Sequence, residues 1–231
     1  MSSNNHNDEV FQNKKKPKTP FKFNLILNEE QKEAKQKILE HPITLLTGNP
    51  GSGKTLLSTN IALDLLFKKE IERIYIARPF IYAESEQSLG ALPGGIQDKL
   101  IGITTPILEN MYLLCGKQKV EELVQEGIIN ILPLAFMRGI TIFNSVLILD
   151  EVQNATSSQL FTALSRLGKN SKAIITGDIN QCDLKNKSLS CWNFLKILEK
   201  DIQEMTRINL TSNHRHDIVE KITNVYNQYK D

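Results

Sequence analysis

Gly48-Asn49-Pro50-Gly51-Ser52-Gly53-Lys54-Thr55 decides how this chain is read. The apolar run Ile43-Thr44-Leu45-Leu46-Thr47 precedes it, and Leu56 to Phe67, which follow, have the pattern of a helix. The octapeptide satisfies GxxxxGK[ST] in full. Its glycines let backbone N–H groups turn inward around phosphate oxygens, where a side chain would block them. The helix beginning beside Lys54 adds its positive dipole end. Lys54 is expected at the β- and γ-phosphates and the Thr55 hydroxyl on Mg²⁺. Gly48, Asn49, Pro50, Gly51, Ser52, Gly53, Lys54 and Thr55 are together the expected triphosphate cradle. A chance match in a Gly-rich loop is the competing reading, and the strand before and helix after argue against it.

Working outward, Val146-Leu147-Ile148-Leu149-Asp150-Glu151 supplies the second half of such a site. Four apolar residues predict a buried strand, with two carboxylates at its C-terminal end, where open α/β sheets place ligands. Asp150 is expected to hold Mg²⁺ through water, and Glu151 to polarise an attacking water for in-line displacement. Thr176-Gly177-Asp178-Ile179-Asn180-Gln181 follows another apolar run. Asp178 joins the expected nucleotide-binding residues, and the Gln181 amide can hydrogen-bond the γ-phosphate or the attacking water. Alone, the tripeptide would be an ordinary Gly-Asp turn; the shared sheet edge favours function.

Near the end comes Leu210-Thr211-Ser212-Asn213-His214-Arg215-His216. Arg215 is expected to stabilise charge on the transferring phosphoryl group, and His214 can stack on a base. Cations are disfavoured at a helix start, so a basic cluster there calls for a reason beyond structure. Asn28 with Gln31 fits a capping box at the start of the first helix; Gln31 can equally read an adenine edge, and the spacing fits both.

Short apolar runs alternate with helical stretches over the rest of the chain. Strands are expected at Ile43–Thr47, Arg73–Ala77, Ile128–Leu132, Val146–Leu149, Ala173–Thr176 and Arg207–Leu210. Helices are expected at Asn28–Glu40, Thr55–Phe67, Ile96–Cys115, Lys117–Glu126, Ser157–Ser165, Cys191–Lys200 and Asp217–Tyr229. Near-continuous apolar strands between helices predict an α/β fold, a mainly parallel sheet covered on both faces. Residues 1–20, Ser/Asn-rich and then Lys-rich, are expected to be a disordered tail, and 21–231 a single domain.

Composition sets the outer bounds. The 231 residues are 40% hydrophobic and 23% charged, normal for a globular protein, and the net charge of +2 excludes a wholly polybasic nucleic-acid binder. No window approaches the roughly 18 apolar residues of a membrane span. Cys115, Cys182 and Cys191 lack metal-binding spacing and are read as reduced thiols, so the expected location is the cytoplasm.

Taken with the cradle, the segments Ala77-Arg78-Pro79, Leu89-Gly90-Ala91-Leu92-Pro93-Gly94, Pro133-Leu134-Ala135-Phe136-Met137-Arg138-Gly139 and Leu147-Ile148-Leu149-Asp150-Glu151-Val152-Gln153-Asn154 occur in an order that resembles the PhoH-like family of P-loop ATPases. The likeness runs from about Asn28 to the C-terminus. It implies a three-layer αβα, RecA-like P-loop NTPase fold, ATP with Mg²⁺, and kinship with superfamily 1 helicases. It implies that Gln31 takes the place of their adenine-reading glutamine, Gln181 of their γ-phosphate-sensing glutamine, and Asn213-His214-Arg215 of their Asn-Tyr-Arg segment. It also implies homo-oligomeric rings, a hexamer being the expected form, in which a neighbour can supply Arg215 or Arg138. Two departures stand out: Glu84 to Leu89 is looser than the family's Gly-Glu-x-Leu pattern, and His214 replaces a stacking tyrosine.

Two functions fit these residues. One is an ATPase acting on RNA or single-stranded DNA, with Arg78, Phe80, Tyr82, Phe136 and Arg138 as contacts. The other is an ATP-dependent assembly or regulatory subunit.

Overall fold

Val146, Leu147, Ile148 and Leu149 are all fully buried, yet they belong to two separate cores. Side chains along a strand point alternately to opposite faces. Val146 and Ile148 therefore pack into one apolar layer and Leu147 and Leu149 into the other. The same division separates Leu46 from Leu45 and Ile174 from Ile175. A strand buried on both faces must have helices above and below, which makes the architecture a three-layer αβα sandwich.

The computed structural model describes residues 25–79, 96–182, 184, 186–214, 218, 219, 221, 222, 225 and 229. Its strands are β1 (Ile43–Gly48), β2 (Arg73–Arg78), β3 (Ile129–Pro133), β4 (Ser145–Leu149), β5 (Lys172–Gly177) and β6 (Met205–Leu210). They form one six-stranded sheet in the order β3-β2-β4-β5-β1-β6. Every pairing is parallel. The helices are α1 (Glu29–Glu40), α2 (Lys54–Phe67), α3 (Ile96–Cys115), α4 (Lys117–Gln125), α5 (Ser157–Leu164) and α6 (Trp192–Asp201). Side chains from α1, α2, α3 and α4 fill the layer around Ile148; those from α5 and α6, with Leu134 and Met137 of a 3-10 turn, fill the layer around Leu147.

All six expected strands form, with ends moved by at most two residues. Ile96–Cys115 is helical with the expected bounds, whereas Asn28 and Cys191 cap their helices instead of opening them. Of the expected helix Asp217–Tyr229, residues 218, 219, 221, 222, 225 and 229 are helical, and the remainder lies outside the described residues. So does the expected tail of residues 1–20. Among the described residues no helix is long and apolar enough to cross a membrane.

The arrangement that matters for chemistry is the placing of β5 between β1 and β4. Thr47 is level with Gly177, and Leu149 with Ile175. Three neighbouring strands thus end together, and the residues after each one, Asn49 onward, Asp150-Glu151 and Asp178, emerge on a single edge.

Candidate nucleotide site

β1 ends at Gly48, whose φ of +151° lies beside a tight contact with β6. A Cβ there would stand 2.3 Å from the Leu210 carbonyl oxygen and 2.8 Å from Ser52 Oγ. The first glycine of the loop is thus required by packing, independently of what the loop binds. Gly53, at φ +83°, caps α2 with no side-chain hydrogen bond, leaving the helix N-terminus open to an anion. A Cβ on Gly53 would meet Gln31 Nε2 at 3.3 Å and His214 Cδ2 at 3.6 Å. Lys54, the first residue of α2, is buried. Its ammonium donates to the carbonyls of Gly48 (2.7 Å) and Asn49 (3.0 Å).

Across β5, Asp150 is 2% exposed and receives hydrogen bonds from Thr55 Oγ1 (2.9 Å) and from Thr176 Oγ1. A hydroxyl and a carboxylate that share one position are a suitable donor set for magnesium, which typically takes one or two protein oxygens and completes its shell with substrate phosphates and water. Asp178 supplies a second observation in favour of such a ligand. It is 4% exposed and lines the cavity; one of its oxygens accepts from the Asn180 N–H, but Oδ2 is buried without a partner among the described residues. A buried carboxylate oxygen left unpaired is costly, and a bound cation or its water would satisfy it.

Glu151 adopts a left-handed backbone, φ +57° and ψ +41°. For a residue with a Cβ this costs about 1–2 kcal/mol, and such outliers gather at functional sites. Burial is the main cause that raises its carboxyl above the ordinary value, with Asp150 beside it adding to the effect. Arg78, Gln153 and Lys54 pull the other way. Arg78, the last residue of β2, lies 3.9 Å from Asp150 Oδ2 and 3.8 Å from Glu151 Oε1. Arg78, expected as a nucleic-acid contact, is thus set beside the acid pair, with its side chain 25% exposed.

Gln153, two residues after Glu151, has no expected role from sequence. The side chain is buried, its Nε2 donates to Glu151 Oε2, and its Oε1 accepts the Asp178 N–H at 3.1 Å. One amide therefore ties the end of β4 to the end of β5. Asn110 of α3 also lines the cavity, and nothing in its sequence context signals that.

Gln31 forms the capping box that its spacing from Asn28 predicts. Its Oε1 accepts the Asn28 N–H (3.2 Å) while Asn28 Oδ1 accepts the Gln31 N–H (2.8 Å), completing the capping box. Its Nε2 lies 3.2 Å from His214 Nε2 at the mouth of the loop. Together Pro50, Gly51, Lys54, Thr55, Glu151, Asp178, Gln181 and His214 surround a cavity of about 420 Å³. The structure brings Gln181 to that wall, exposed, on the turn after Asp178. Arg215, the expected charge stabiliser, lies outside the described residues, as do Phe80 and Tyr82.

Comparison with known proteins agrees with this geometry. The family model described as PhoH-like protein matches residues 26–227. A PhoH-like protein of Synechocystis is 35% identical over 198 residues, 85% of this chain and 60% of its own length. One from Bacillus subtilis is 38% identical over 183 residues, 78% of this chain and 57% of its own. The chain thus spans less than two thirds of either relative. Among solved structures, the Sulfolobus solfataricus SWI2/SNF2 ATPase core in complex with double-stranded DNA superposes with a TM-score of 0.51 at 13% identity, over 83% of this chain and 46% of that one, a likeness of fold. The matched region encloses the cavity lining from Pro50 to His214, and the chain belongs to the PhoH-like protein family.

Proposed function

We propose that this protein is a magnesium-dependent ATPase whose turnover is coupled to single-stranded nucleic acid, RNA or DNA. The observation that carries the reading is the convergence of Lys54, Thr55, Glu151, Asp178 and Gln181 on one cavity, with Asp150 hydrogen-bonded to Thr55 behind it. In this reading main-chain amides of the Gly48–Thr55 loop grip the triphosphate and Lys54 neutralises its outer phosphates. Thr55 would hold magnesium directly and Asp150 through water. When bound, the ion offsets charge on the phosphate oxygens and orients them for in-line attack. Glu151 polarises the attacking water, and Gln181 contacts the γ-phosphate. Gln31 and His214 border the base. Arg215 supplies positive charge in the transition state, within the subunit or from a neighbour in a ring.

The nucleic-acid half of the proposal rests on the turn after β3. Phe136 is 55% exposed there, and Arg138, two residues on, is exposed as well. An exposed aromatic ring and an exposed guanidinium on one turn suit base stacking and phosphate contact on a single strand. ATP hydrolysis measured with and without single-stranded RNA and DNA tests it. Stimulation that weakens as salt rises supports the proposal. An equal rate in all cases rejects the nucleic-acid coupling and favours nucleotide-controlled assembly.

Gln153 gives a second test. With Glu151 and Asp178 no longer tied together, Gln153→Ala is expected to lower turnover by about 10- to 100-fold, the usual effect of losing an orienting partner. Affinity for ATP should stay near that of the parent. Single-turnover hydrolysis beside calorimetric titration separates the two quantities.

A further inference from the structure

We propose that Glu30 is a positioning residue of the nucleotide site: it fastens the segment after β6 to the start of α1 and so fixes the wall that carries His214. The proposal rests on the nucleotide reading of the cavity. Glu29 and Glu30 both lie in the first turn of α1, where an acid favours the helix dipole. They behave differently. Glu29 has an 89% exposed side chain and pairs with Lys32 of its own helix. Glu30 turns away from its own helix and receives a hydrogen bond from each polar group of two residues far along the chain. Its Oε1 accepts the Thr211 N–H (2.6 Å) and hydroxyl (2.9 Å), and its Oε2 accepts the Ser212 N–H (3.1 Å) and hydroxyl (2.7 Å). The Ser212 hydroxyl in turn accepts from Asn28 Nδ2 at 3.1 Å.

Two residues further on, the His214 N–H donates to the Gly51 carbonyl at 3.0 Å, and its ring meets Gln31. The segment is therefore pinned at Thr211 and Ser212 by α1 and at His214 by the phosphate loop. A dipole-compensating acid needs none of these bonds. Their consequence is that the part of the wall carrying His214 is held in place by a residue that does not line the cavity.

The test compares Glu30→Ala with Glu30→Gln, which keeps the shape and one strong acceptor. In the nucleotide-free protein, amide hydrogen exchange at Thr211 and Ser212 is expected to quicken by about tenfold or more in Glu30→Ala and less in Glu30→Gln, with β1 and β4 amides unchanged. Calorimetry is then run with magnesium–ATP and with magnesium–tripolyphosphate, which lacks the base. Glu30→Ala should weaken ATP binding by about tenfold and leave tripolyphosphate binding as in the parent, with Glu30→Gln between. Unchanged exchange at Thr211 and Ser212, or equal weakening of both ligands, overturns the proposal. A parent protein that binds neither ligand instead removes the nucleotide reading, and the exchange result still reports whether Glu30 does the fastening.

Discussion

Lys54→Ala should bind magnesium–ATP about 100- to 1,000-fold more weakly than the parent, the largest loss of affinity expected from any single substitution in this chain. The ammonium is buried at the start of α2 and is held by the carbonyls of Gly48 and Asn49. Those bonds aim it along the inside of the loop, where phosphate oxygens would lie. Removing one member of a buried, hydrogen-bonded charge pair costs about 2–5 kcal/mol, and about 1.4 kcal/mol is a factor of ten in affinity. Calorimetric titration of the folded variant measures the loss directly. Lys54→Arg separates charge from shape: it keeps the positive charge but replaces a compact ammonium with a planar fork, and should recover only part of the affinity. Parent-like affinity in Lys54→Ala would remove the triphosphate from this loop.

Glu151→Gln should keep ATP binding while lowering the hydrolytic rate by about 10²- to 10⁴-fold, the range over which a positioned general base contributes. Its carboxylate lies on the cavity wall, carried there by the left-handed backbone at the end of β4. An amide occupies nearly the same volume and can still meet Gln153, so the fold should tolerate it. It cannot take a proton from water. The exchange also removes a negative charge beside the expected triphosphate, so affinity should hold or improve. Single-turnover hydrolysis alongside equilibrium binding checks both halves. A variant that hydrolyses ATP at the parent rate would show that Glu151 does not activate the water.

Much of this site was legible in the sequence, for a reason that individual residues make plain. The Gly48–Thr55 loop, Asp150-Glu151 and Asp178 with Gln181 are contiguous segments at the ends of apolar strands, and contiguity is what a sequence displays. The fold followed from the same source: Ile43–Gly48, Ser145–Leu149 and Lys172–Gly177 are apolar on both faces, and such strands need helices on both sides. What stayed hidden are contacts made across the sheet. Arg78 looks like a surface cation after a strand until β2 is seen to pair with β4, which sets it beside Asp150 and Glu151. Gln153 gains its task only because β5 neighbours β4. Glu30 has an adequate local explanation at a helix start, and its partners are 181 and 182 residues away. An acid that already suits its helix start carries no local sign of such distant partners.

The close approach of Leu210 to Gly48 bears on how relatives of this chain should be judged. No larger residue fits at that point whatever the loop binds, so a glycine would persist there in a descendant without the proposed activity. It is a poor witness to activity. Glu151 testifies better: its backbone is left-handed and its carboxylate is only partly shielded. A sequence that keeps the glycine and gives up the acid has inherited the scaffold without the trade.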